Sequence, residues 1–195
     1  MFIQTESTPN PQTLKFLPGR DVLGAGGRDF PTPEAADGVS PLAAAVFAAA
    51  AVQRVYLGAD FVTVTKSEDV EWKHVKPHVL GAIMEHFTSG APVLVEGAAQ
   101  TPEADAAPAT AYEGDAAEIV EQIKELIETR IRPAVAQDGG DITFHSWEHE
   151  AGVVRLTMKG SCAGCPSSTL TLKQGIEKML RTYVPEVLRV EQTVS

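Results

Sequence analysis

Between Gly97 and Ala117 the sequence loses almost everything a protein core is made from. The stretch is rich in alanine, with Pro102 and Pro108 set among Glu103, Asp105, Glu113 and Asp115, and Tyr112 is its one bulky side chain. Such a segment cannot bury enough apolar surface to offset the entropy lost on ordering it. It reads as a flexible acidic linker over 97–117, dividing the 195 residues into units at 1–96 and 118–195. Each unit must build its own core, and the total length suits two small domains.

In the first unit, Thr8-Pro9-Asn10-Pro11 signals a turn and Thr13-Leu14-Lys15-Phe16-Leu17 a short strand. Leu23 to Gly27 and Pro31-Thr32-Pro33 read as loop. Ser40-Pro41 opens an Ala-rich helix with Ser40 as its N-cap. Val52 to Leu57 and Phe61 to Thr65, around Gly58-Ala59-Asp60, are rich in β-branched and aromatic residues and predict a hairpin. From Trp72 to Phe87 the apolar residues Val75, Val79, Ile83 and Phe87 recur every fourth position, which predicts a helix. Val93-Leu94-Val95 is a candidate last strand.

The second unit opens with a predicted helix from Glu118 to Val135. Ile119, Ile123, Ile127 and Ile131 form its apolar stripe, and Pro133 is expected to kink or shorten its last turn. Asp138-Gly139-Gly140-Asp141 reads as a turn. Two strands follow around Glu148 to Gly152, then a cysteine loop, a helix and a strand at Val187 to Val190. The expected fold class is therefore α/β in the broad sense (α+β): two small domains, each a mostly antiparallel sheet packed by helices.

The chemistry concentrates in Gly160-Ser161-Cys162-Ala163-Gly164-Cys165-Pro166-Ser167-Ser168, which holds both cysteines of the chain. Two intervening residues let both sulfurs face one point, as a soft metal or a small disulfide ring requires. Pro166 suits the first position of a helix, so both thiols are expected at a helix N-terminus, where the dipole favours the thiolate. Three chemistries compete. A redox dithiol is one, although the strand leading into a thioredoxin-like pair belongs to a parallel sheet, and here an antiparallel hairpin precedes it. A zinc site needs two more ligands. His145 and His149 are poor candidates, because a returning strand at roughly 3.3 Å per residue puts His149 about 30 Å from the loop. An iron–sulfur cluster takes four thiolates, which two chains facing across a two-fold axis would supply.

The acidic balance, a net charge of −10, argues against nucleic acid or an anionic membrane as partner. No apolar run is long enough to span a bilayer. The N-terminus carries neither a signal nor a transit pattern, from which a bacterial cytoplasmic location is expected. No nucleophile–base pair, phosphate loop or HExxH appears, so no enzyme activity is expected. The other candidates read as structural: Asp138 and Asp141 as turn residues, His74 and His78 as surface histidines, Trp72 and Phe87 as core, Lys159 and Lys173 as solvated lysines beside the thiols.

Asp138-Gly139-Gly140-Asp141 followed by Lys159 to Ser168 resembles the NifU-like C-terminal domain of Nfu iron–sulfur proteins. Gln4 to Pro11 and Gly58 to Val64 are similar to the Nfu N-terminal domain, and both likenesses occur in the family's order. The resemblance implies a scaffold or carrier that holds a [4Fe–4S] cluster between two chains, with Cys162 and Cys165 as ligands. It implies a homodimer in the cluster-bound state, upstream cluster donors and apo-protein clients as partners. A thiol–disulfide oxidoreductase and a zinc-bridged dimer are the alternatives.

Overall fold

The structure, a computed structural model, describes residues 2–24, 26–49, 51–95, 112–163 and 166–193, and for 166–171 the backbone alone. The chain is α+β, with two sheets that share no strand. The first sheet comprises β1 (Gln4–Ser7), β2 (Thr13–Leu17), β3 (Arg28–Phe30), β4 (Val52–Leu57) and β5 (Val62–Lys66). Their order is β1-β2-β5-β4-β3, antiparallel throughout. Alternation along each strand sends Phe16, Val55, Leu57, Val62 and Val64 to one face. There they meet Leu42 and Val46 of α2 (Pro41–Phe47) and Val75, Val79 and Ile83 of α3 (Trp72–Ser89), after a single turn, α1 (Pro33–Ala36). Ser40 caps α2 as expected, its Oγ accepting from the Ala43 N–H at 3.1 Å.

The same alternation turns Lys15, Tyr56 and Thr63 to the opposite face. These too are buried, at 7%, 2% and 1% exposure. A sheet face that carries a lysine and a tyrosine and is still dry has something lying on it, and here that is the second unit.

In that unit, α4 (Asp115–Leu126), a π-helical turn (Ile127–Ile131) and α5 (Arg132–Gln137) form one continuous helical run. Ile119, Ile123, Ile127, Ile131 and Val135 are all buried along it. Pro133 does not end the run. The missing N–H is accommodated by the wider turn immediately before it, so the apolar stripe stays in register. β6 (Gly140–Glu148) and β7 (Val153–Gly160) pair antiparallel, and α6 (Pro166–Tyr183) leads to β8 (Arg189–Thr193), which lies parallel to β7. The small sheet is thus half parallel, because α6 acts as a crossover and returns the chain in β7's direction.

Other departures from expectation have local causes. β1 (Gln-Thr-Glu-Ser) and β3 (Arg-Asp-Phe) are short edge strands without apolar alternation, so no sequence period marks them. Val95 donates its N–H to the Val39 carbonyl at 2.9 Å, and the expected strand at Val93–Val95 does not form. α4 begins within the expected 97–117 linker, and Tyr112 belongs to the second unit: its hydroxyl accepts the Trp147 N–H at 2.8 Å. The rest of that range, 97–111, lies outside the described residues.

Candidate functional site

β7 ends in Gly160, whose φ of +65° turns the chain into the cysteine loop. A side chain here would strike the Gly139 carbonyl at 2.7 Å. The loop is then tied down: Ser161 donates its N–H to Gly139 O at 3.2 Å and its hydroxyl to Asp138 O at 2.6 Å. Ala163 N–H closes a turn onto Gly160 O at 3.1 Å. Cys162 follows Ser161 with its sulfur lying on Gly140, where a Cβ would come within 2.4 Å of Sγ. Gly140 is therefore glycine for space, to seat the sulfur, while Gly139 (φ +77°) and Gly160 are glycine for backbone conformation.

Cys162 is 6% exposed. Burial pushes its thiol up to about 11; the Ser161 hydroxyl opposes this, and the carboxylates of Asp138 and Asp141 reinforce it. The expectation of readily ionised thiols is thus corrected for Cys162: removal from water and nearby negative charge hold it protonated. Cys165 and Gly164 lie outside the described residues.

Asp141 is a structural anchor, as expected, but of a kind the turn reading missed. Arg132 donates to it through Nε at 2.8 Å and Nη2 at 2.9 Å, and the Ile142 N–H adds a bond at 2.8 Å. The Tyr56 hydroxyl from the first unit completes the set, and burial together with the Asp141 charge raises the Tyr56 pKa. Lys159 pairs with Asp141 in the β6–β7 register and is buried, not solvated; Lys173 is half-buried.

The histidines stay apart from the loop. His74 and His78 are exposed on α3, with His78 Nδ1 2.9 Å from its own helix's His74 carbonyl. His145 sits at a β6 bulge beside Ser146, and His149 lies in the turn at the far end of the hairpin. Trp72 bonds Pro11 O at 3.1 Å and packs with Phe87 against the first core. Among the described residues no group of three or more His, Cys, Asp or Glu side chains could hold a metal.

Sequence reading missed the residues that hold the loop from outside: Lys15, Tyr56, Thr63 and Arg132. The signal lay in the alternation, because Tyr56 and Lys15 fall on the face opposite the core residues of β4 and β2.

These features define a two-domain α+β protein with a cysteine loop set between a left-handed glycine and a helix start. Family models describe both halves. "Scaffold protein Nfu/NifU N terminal" matches residues 3–90, and "NifU-like domain" matches 123–191. The chain belongs to the Nfu/NifU-like family. It is 52% identical over 192 residues to "NifU-like protein 4, mitochondrial" of Arabidopsis thaliana, covering 98% of this chain and 66% of that one. It is likewise 52% identical to "NifU-like protein 5, mitochondrial" of the same plant, covering 98% and 68%. "NFU1 iron-sulfur cluster scaffold homolog, mitochondrial" of Drosophila ananassae is 52% identical over 193 residues, covering 98% and 64%. The chain thus spans about two thirds of the length of these curated relatives.

The expected bacterial cytoplasmic location is corrected by these relatives, all three named as mitochondrial. Folded domains carry no address in their cores, so neither unit's fold signals a compartment. Among the described residues no helix is long and apolar enough to cross a membrane.

Proposed function

We propose that this chain is an iron–sulfur cluster scaffold and carrier, not a catalyst. Cys162 and Cys165 of each of two chains hold one [4Fe–4S] cluster across a two-fold axis, and the cluster passes to apo-proteins. Donors load it upstream, and the part of 97–117 that precedes Tyr112 tethers the N-terminal unit to the cluster-binding unit. The observation that carries this reading is a cysteine seated on a glycine floor beside a helix start, within a chain whose family relatives include a named cluster scaffold.

The chemistry follows from the donor set. Thiolate sulfur is the usual cluster ligand, and one chain offers two cysteines where a cluster takes four. Loading replaces each S–H bond by an Fe–S bond and releases the proton to solvent. Delivery reverses this one ligand at a time: a client thiol gives up its proton and binds iron, and the departing carrier thiolate takes a proton back.

The sheet topology bears on the thiol–disulfide oxidoreductase alternative. Because β7 has β8 as a parallel neighbour, the antiparallel hairpin no longer argues against a redox dithiol. The deciding test is Cys162→Ser and Cys165→Ser, each reconstituted anaerobically with iron and sulfide. Loss of stable cluster with native circular dichroism supports the carrier. Reversible dithiol–disulfide cycling that reduces a test disulfide, with no iron bound by the unaltered chain, supports the oxidoreductase.

A further inference from the structure

The outer face of α3 carries a second set of metal-donor side chains, away from the cysteine loop. His74 and His78 are both exposed there and stand one turn apart. At a spacing of four residues two side chains leave a helix on the same face, close enough for both imidazoles to take one ion. His78 is already arranged for this. Its Nδ1 lies 2.9 Å from the His74 carbonyl oxygen, which has no hydrogen to give, so the ring nitrogen is the donor. In the neutral ring a proton on Nδ1 leaves a bare lone pair on Nε2. Metal-bound histidines are held in the same way, with the other ring N–H bonded to a carbonyl or carboxylate.

The surroundings suit a cation. Lys73 Nζ pairs with Glu71 at 2.6 Å and Lys76 Nζ donates to Thr5 Oγ1 at 2.7 Å, so both nearby ammonium groups have partners of their own. The chain's net charge of −10 favours the approach of a positive ion. The pair is also separate from the cysteines. α3 packs on one face of the N-terminal sheet through Val75, Val79 and Ile83. The opposite face meets the second unit, where Lys15 Nζ donates to the Ala136 and Gln137 carbonyls at 3.0 and 3.2 Å and Thr63 Oγ1 to the Gly139 carbonyl at 2.7 Å. The sheet therefore stands between the histidines and the cysteine loop, and the two cannot share an ion.

We propose that His74 and His78 bind a divalent late transition-metal ion of the zinc, nickel and copper class, with the remaining positions open to water or to a donor from outside the chain. Imidazole suits these ions, whereas calcium and magnesium take oxygen donors. With two protein ligands the site is open, unlike a structural zinc centre closed by four. It goes beyond the cluster reading and does not depend on it.

The test uses the full chain carrying Cys162→Ser and Cys165→Ser, which removes the thiolates that would compete for the same ions. Ni²⁺ and Zn²⁺ are titrated calorimetrically at neutral pH, and about one ion per chain is expected. His74→Ala and His78→Ala change exposed positions and spare both cores. Each is expected to weaken binding about tenfold or more, no less than the loss of an outer-shell partner costs a metal site. His145→Ala and His149→Ala should leave binding unchanged. The ion should also raise the melting temperature of the parent chain and of neither α3 variant. No ion bound by the parent overturns the site, as does binding that survives either α3 substitution or is lost with His145 or His149. Nitrogen–proton NMR of the metal-free chain should place the His78 proton on Nδ1; a proton on Nε2 overturns the assigned ligand.

Discussion

The two cores and the seam between them are built on different principles. Each core is apolar side chains fixed by period: Ile123, Ile127 and Ile131 in one unit, Val55, Leu57 and Val64 in the other, all 2% exposed or less. The seam is as dry but is made of Lys15, Thr63, Tyr56 and Asp141, each needing a particular partner on the far side. Apolar burial tolerates small shifts, whereas a buried polar group loses its bond with displacement. The cores therefore hold each unit whatever the other does, and the seam adds bonds that hold only while their partners stay in place.

The largest effect should come from a core. Ile127→Ala, at 1% exposure, removes buried methyl groups and leaves a cavity, costing about 2–5 kcal/mol. Calorimetry should show a substantially lower melting temperature for the C-terminal unit, with the N-terminal unit little affected. Arg132→Met comes next. It leaves the Asp141 carboxylate, 8% exposed, without its guanidinium, at a cost of about 2–3 kcal/mol given that Arg132 itself is partly in water. Denaturant titration would show this, and Arg132→Lys should recover only part, since a point charge cannot reproduce the two-pronged bond.

Thr63→Val should cost about 1 kcal/mol and act on the seam, with both cores retained. Its signature is faster exchange of the Ser161 amide without a comparable change at core amides. Smallest and most diagnostic is the response to pH. Burial lowers the His86 pKa from its ordinary 6.5, so the folded N-terminal unit binds fewer protons than the unfolded chain. Its stability is present above 6.5 and falls as pH drops below that value. Tyr56 has the opposite sense: its pKa is raised above 10.0, so docking is intact below that value and weakens as pH rises through the raised pKa. Acid should loosen the N-terminal unit and alkali the seam. His86→Leu should flatten the first response and Tyr56→Phe the second in pH-resolved melting and scattering.

The same contrast explains what the sequence made legible. Ile119 to Ile131 announce a helix because a core repeats, and Ser40-Pro41 announce its start because a cap is local. The Val52–Leu57 and Val62–Lys66 strands were legible from β-branched residues flanking a turn. Gly160-Ser161-Cys162 stood out by composition. The seam was not legible in that way, because Tyr56 meeting Asp141 joins residues far apart in sequence and follows no period. The burial of Cys162 was hidden for the same reason: it depends on Gly140 approaching from a neighbouring strand. The parallel return of β8 depends on the path of α6, which a strand's own residues do not record.

Iron and sulfide stoichiometry after anaerobic reconstitution, read with the mass in solution, decides whether two chains share one cluster. About four irons and four sulfides per two chains are expected, with a dimer in the loaded state and loss of both cluster and dimer in Cys162→Ser. A full cluster on a single chain, or a stable cluster retained by Cys162→Ser, would contradict the bridged cluster.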